Sequence, residues 1–164
     1  MRGNLVAILD RVGAQRALGV RTCAELFDPR QELAHLTSAL RYPVFVGGAN
    51  YNGAPDMLRT PVLRRIVETH LAEEARALPR VLWLPLGPKP AAALRHLAGT
   101  GIIDRDRILE GLPHPSGANG ERVAYFLGRK ARTALSDKTR PALIDVARER
   151  LAAQLARLAG NATQ

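Results

Sequence analysis

Cysteine is nearly missing from this chain: Cys23 is the single one among 164 residues. One thiol per chain excludes a disulfide framework, a multi-cysteine zinc site and a four-cysteine iron–sulfur cluster, and it suits a reducing cytoplasm. Long apolar runs are missing too, with none near the ~20 residues that span a bilayer. The polar start at Arg2 leaves no room for a secretory h-region, so a cytoplasmic, membrane-free protein is expected. Neither Gly-x-x-x-x-Gly-Lys-Ser/Thr nor Gly-x-Gly-x-x-Gly occurs, which removes the main support for a nucleotide-cofactor fold. No internal repeat, low-complexity tract or linker breaks the chain, so a single domain over 1–164 is expected. Acidic residues are in deficit, 15 against 24 Lys and Arg, giving a net charge of +9 and a pI near 10.9. Such a surface favours polyanions, phosphate backbones above all. With only three Lys among the cations, an Arg-rich composition accounts for the charge about equally well.

What is present reads as alternating helices and strands. Leu5, Ile8, Leu9, Val12 and Leu18 have helical spacing over 4–18, stopped by Gly19, and Leu33, Leu36 and Leu40 repeat it over 30–40. Tyr42 to Val46 predicts a short buried strand closed by Gly47-Gly48, followed by a loop to Asp56. A helix over about 58–78 carries Leu58, Val62, Leu63, Ile66, Val67 and Leu71 on its apolar face. Val81 to Leu86 is almost continuously apolar, the pattern of a strand buried on both faces of a parallel sheet. A helix over 90–98, a strand over 107–112 and helices over about 119–128 and 141–159 complete the reading. Such alternation predicts parallel β-α-β units. The loops 47–56, 87–90 and 113–119 then share the carboxyl edge of the sheet, where ligands bind in open α/β folds.

His114 is the residue that stands apart. His35, His70 and His96 fall within predicted helices, whereas His114 lies between Pro113 and Pro115, after a strand and before a helix. The two prolines restrict the backbone on either side and aim the ring; a stiff local turn is the plainer alternative. Ser116 and Asn119 flank the next helix, where capping is their default role and phosphate binding a compatible one. Asn50 and Asn52 carry amides that suit the edge of a planar base, although Asn is also an ordinary turn residue. Arg129, Lys130, Arg132, Lys138 and Arg140 form a cationic segment that either is simply solvated or tracks a DNA backbone.

With those residues in view, Leu112-Pro113-His114-Pro115-Ser116-Gly117-Ala118-Asn119 resembles the His-Pro-Ser loop of the uracil-DNA glycosylase superfamily. Its Pro-Ser-Gly is similar to the mismatch-specific branch, and Phe45-Val46 followed by Asn50-Tyr51 resembles the strand and Asn loop of the single-strand-selective branch. The resemblance spans roughly 42–130. It implies a three-layer α/β/α fold with a short parallel sheet and hydrolysis of the N-glycosidic bond of uracil, or a related damaged base, flipped out of DNA. It implies that His114 is the catalytic donor to the uracil O2, and that Asn50, or else Asn52, reads the base. Pro115, Ser116, Gly117 and Asn119, with Lys130 and Arg132 beyond, would contact DNA. No metal, iron–sulfur cluster or organic cofactor is implied, and a monomer is expected.

One part of the family pattern is missing. Its first strand ends in a Gly-x-Asp-Pro or Gly-x-Asn-Pro-Gly motif that positions the attacking water. Asp28-Pro29 lacks the glycines, and Gly53-Ala54-Pro55-Asp56 is only similar to a related form. The preferred alignment therefore starts after that motif and predicts a domain without its first strand, incomplete at the N-terminus. Two other readings follow: a DNA-binding relative unable to activate water, and an unrelated α/β hydrolase with His114 as general base.

Overall fold

Residues 1–161 are described by a computed structural model. In chain order they form α1 (Arg2–Arg11), α2 (Ala14–Ala17), the hairpin strands β1 (Phe45–Val46) and β2 (Ala49–Asn50), and α3 (Pro61–Ile66). A π turn, Val67–Leu71, links α3 to α4 (Ala72–Ala77); α5 (Pro88–Gly99), α6 (Gly120–Phe126) and α7 (Pro141–Asn161) follow, with short 3-10 turns between. None of these helices is long and apolar enough to cross a membrane.

Two compact units divide this chain. One joins Met1–His35 to the chain from Glu110 onward. There α7 packs on α2 and α6, and α1 packs on α2 and α6. Its buried residues include Ile8, Leu9, Val12, Cys23, Leu112, Phe126, Leu151 and Leu155. Hydrogen bonds lock α6 to α7: Tyr125 Oη donates to Asp145 at 2.8 Å, and Arg148 bridges Asp145 at 2.8 Å and the Phe126 carbonyl at 3.3 Å. Asp10, at the end of α1, accepts from the Thr22 hydroxyl at 2.6 Å and the Cys23 N–H at 2.7 Å. Burial pulls its acidity one way, but those donors prevail and hold the carboxyl below its ordinary range. Burial, reinforced by Asp10, pushes the Cys23 thiol far up, so it behaves as core rather than as a nucleophile.

The other unit is Leu36–Leu109. Leu63, Val67, Leu71 and Ala75 on one side of α3–α4 meet Leu94 and Leu97 of α5, with Trp83, Ile103 and Ile108 completing the cluster. The predicted helix over 58–78 forms, interrupted by the π turn, and the expected helix over 90–98 forms as α5.

The expected three-layer α/β/α fold does not form. The described residues hold a two-stranded antiparallel hairpin and no parallel sheet. Parallel pairing is seen at an isolated bridge, Trp83 with Ile108: the Trp83 N–H donates to the Arg107 carbonyl at 2.8 Å and the Leu109 N–H to the Trp83 carbonyl at 2.8 Å. Local chemistry limits its extension. Pro85 removes a donor from the first run, and a 3-10 turn at Arg105–Arg107, capped by Asp104 through the Asp106 N–H, occupies the start of the second. The buried strand expected at 42–46 is also corrected: the strand is Phe45–Val46, and both residues are exposed. Residues 34–40 are not helical, because Thr37 bonds Glu74 at 2.7 Å and Ala39 and Leu40 turn onto the second unit's core. Tertiary contacts override the leucine spacing there.

Candidate functional site

Gly111 begins the loop that carries His114. Its φ of 120° belongs to glycine, and a Cβ there would stand 2.6 Å from that of Ala147 on α7. Leu112 and Pro115 are buried, so the chain is pinned on both sides of an exposed His114. Asn4 of α1 donates from Nδ2 to the Pro115 carbonyl at 3.1 Å. Ser116 and Asn119 close a 3-10 turn: the Asn119 N–H reaches the Ser116 carbonyl at 3.0 Å, and Asn119 Nδ2 reaches Ser116 Oγ at 3.1 Å. Arg122 then donates to Asn119 Oδ1 at 3.2 Å and to the Lys138 carbonyl at 3.3 Å. Neither Ser116 nor Asn119 caps its following helical turn through a side-chain bond to a backbone N–H. Their side chains brace the loop instead.

The orientation of the imidazole follows from one bond. The Ser116 backbone N–H donates to His114 Nδ1 at 3.3 Å. A backbone N–H can only donate, so Nδ1 is the acceptor and the proton of a neutral ring sits on Nε2. His114 therefore presents a donor, held by prolines and a backbone amide rather than by a carboxylate. No residue from Gly111 to Gly120 is acidic.

Asn50 and Asn52 belong to the other unit. Asn50 lies in β2 directly opposite Phe45 and is exposed. Asn52 Oδ1 accepts the Ala54 N–H at 3.2 Å, the Asx-turn role of a turn residue. Asp56 gathers the next turn, accepting from the Leu58 and Arg59 N–H groups at 3.0 and 3.2 Å, with Lys89 Nζ at 3.4 Å. Backbone donors first, then Lys89, hold its carboxyl below the ordinary range.

The two cations proposed to meet DNA differ. Arg132 is exposed on a 3-10 turn. Lys130 is half-buried and pairs with Glu121 at 2.8 Å. Glu121 also accepts from the Ser136 N–H at 3.1 Å, from Ser136 Oγ at 2.6 Å and from the Thr139 hydroxyl. Lys130 foremost, then Ser136 and Thr139, drive the Glu121 carboxyl far below its ordinary value. This carboxylate ties the basic segment to α6. The sequence pattern singles out neither Glu121, Asn4 nor Arg122, and takes Gly111 only as part of the strand over 107–112 that leads into the His114 loop. Gly111 was legible in principle, as a glycine ending an apolar run; the others carry no local signature. Among the described residues no cluster of three His, Cys, Asp or Glu could hold a metal ion.

The chain is similar to the uncharacterized protein YoxB of Bacillus subtilis (strain 168), 34% identical over 152 residues, which is 92% of this chain and 59% of that protein. It thus spans less than two thirds of that relative's length. No protein-family model matches the chain, and no solved structure matches it significantly.

Proposed function

We propose that this chain acts in DNA base excision, gripping the leaving uracil, or a related damaged base, through the His114 loop. The observation that carries the reading is the Ser116 N–H on His114 Nδ1, which turns an exposed Nε2–H outward as a fixed donor. When the bond between C1′ and the base nitrogen breaks, its electron pair moves into the base, and negative charge collects on N1 and the carbonyl oxygens. A donor already aimed at such an oxygen stabilises the transition state more than the ground state, because nothing need reorganise as the charge develops. The bracing by Asn4, Asn119 and Gly111 supplies that preorganisation. The +9 charge supports a polyanionic substrate. The support lies in the loop's residues and geometry, not in the fold.

Water must still add at C1′. The loop offers no carboxylate for that step, so its activation falls to residues outside the Gly111–Gly120 segment. The test is release of uracil from single- and double-stranded DNA, read as alkali-labile abasic sites. Cleavage that falls about 100- to 1,000-fold in His114→Ala, the usual effect of losing such a donor, supports the reading. Salt-sensitive binding with no abasic sites converts it to a binding-only role. Cleavage unaffected by His114→Ala removes the histidine from the chemistry.

A further inference from the structure

Two neighbouring residues in the first turn of α6 grip the same short turn farther along the chain. The Thr139 N–H donates to the Ser136 carbonyl at 3.0 Å, closing a turn over residues 136–139. Glu121 takes that turn's donors: the Ser136 N–H at 3.1 Å, the Ser136 hydroxyl at 2.6 Å and the hydroxyl of the buried Thr139. Arg122 takes an acceptor, its Nη2 donating to the Lys138 carbonyl at 3.3 Å. The other arm of the guanidinium, Nη1, donates to Asn119 Oδ1 at 3.2 Å. One planar fork thus joins the 136–139 turn to the end of the His114 loop.

A guanidinium carries donors only, so the Asn119 atom that meets it is the carbonyl oxygen. That choice turns the amide nitrogen the other way, onto Ser116 Oγ at 3.1 Å. A backbone bond, from the Asn119 N–H to the Ser116 carbonyl at 3.0 Å, gives Ser116 a second tie. Ser116 is therefore held at its hydroxyl and its carbonyl, and its own N–H is what fixes His114 Nδ1 at 3.3 Å. Among the described residues Asn119 Oδ1 has no donor besides Arg122. Without Arg122 a flipped amide still bonds Ser116, because a hydroxyl both donates and accepts. Arg122 decides between the two orientations.

We infer that Arg122 is a positioning residue for His114, tying the orientation of its ring to the 136–139 turn through Asn119 and Ser116. The inference deepens, and for its effect on rate rests on, the reading of His114 as donor to the leaving base. Its structural half is measured on the free protein, by hydrogen exchange of the Ser116 amide and long-range 1H–15N correlation of the imidazole. Failure of the excision reading therefore leaves this test standing. Arg122→Ala is expected to speed exchange of the Ser116 N–H about 2- to 10-fold, the range of a single hydrogen bond, and to raise the Nδ1–H population of His114. Arg122→Lys keeps the charge but loses the fork, so it should behave like Arg122→Ala. In an Asn119→Ala background Arg122→Ala should add nothing, since the path runs through that amide. Where excision is seen, kcat should fall by a comparable factor with KM unchanged. Unchanged exchange and tautomer in Arg122→Ala would overturn the proposal. So would wild-type behaviour of Arg122→Lys, which marks a charge effect, or an undiminished loss beside Asn119→Ala. A uniform loss of protection across α6 would also overturn it, as general destabilisation, and a rise in KM alone would place Arg122 on DNA instead.

Discussion

His114 is held by what its neighbours forbid. Pro113 and Pro115 deny the backbone most of its freedom, and the Ser116 N–H occupies Nδ1, leaving Nε2 to carry the proton. Two substitutions separate the backbone from the hydroxyl. Ser116→Ala keeps the N–H and is expected to leave the Nε2–H tautomer intact. Ser116→Pro fits the native φ of −70° but deletes the donor, and should raise the Nδ1–H population. Long-range 1H–15N correlation of the imidazole reads both outcomes. Gly111 is less forgiving. Gly111→Ala meets an unfavourable φ and a contact of 2.6 Å with Ala147, so stability should fall by about 2 kcal/mol or more in urea unfolding. A loss well below that would mean that α7 yields and the loop is not pinned.

At the level of elements, Glu121 shows how one side chain organises a segment. It collects Lys130, Ser136 and Thr139 on the chain that follows α6. Its carboxyl is more acidic folded than unfolded, so its contribution is present above the ordinary value of 4.5 and is lost as pH falls below that. Glu121→Gln should therefore lower Tm at neutral pH, and the gap to wild type should narrow as pH drops below about 4. A gap independent of pH would assign the effect to packing. Helical elements were the legible part of the sequence. The 3.6-residue spacing of Leu63, Val67 and Leu71 survives the π turn, because those residues still face Leu94 and Leu97. The strands were legible only in part: Phe45–Val46 and the parallel Trp83–Ile108 bridge fall inside the expected runs, but the described residues build no parallel sheet from them. Val81–Leu86 has a buried Trp83 and partly buried neighbours, as its apolarity implies, but burial does not create ladder partners and Pro85 removes one. The site was half legible. His114 between two prolines is a local pattern, whereas its anchors on Asn4 and Ala147 lie far along the chain and leave no spacing to find.

For the whole molecule, the proposed DNA role makes the excess of positive charge matter only where it is free to meet phosphate. Lys130 is engaged by Glu121, so Lys130→Ala should cost stability more than affinity. Arg129 and Arg132 are exposed. Their double replacement by Ala should flatten the plot of log affinity for single strands against log salt by about 1.4, at ~0.7 per phosphate contact. An unchanged slope would place the DNA path elsewhere. The relative's greater length bears on the same scale: residues corresponding to about two fifths of YoxB lie outside the match.

The central claim is that His114 stabilises the charge on the departing base, and leaving-group chemistry tests it most directly. Single-turnover excision is compared for uracil and for 5-fluorouracil, whose more acidic N1 makes it the better leaving group and less dependent on a donor. If His114 acts on the leaving base, the loss of rate in His114→Ala is clearly larger for uracil than for 5-fluorouracil. Equal losses for the two bases would contradict the account and restrict the histidine to holding the loop.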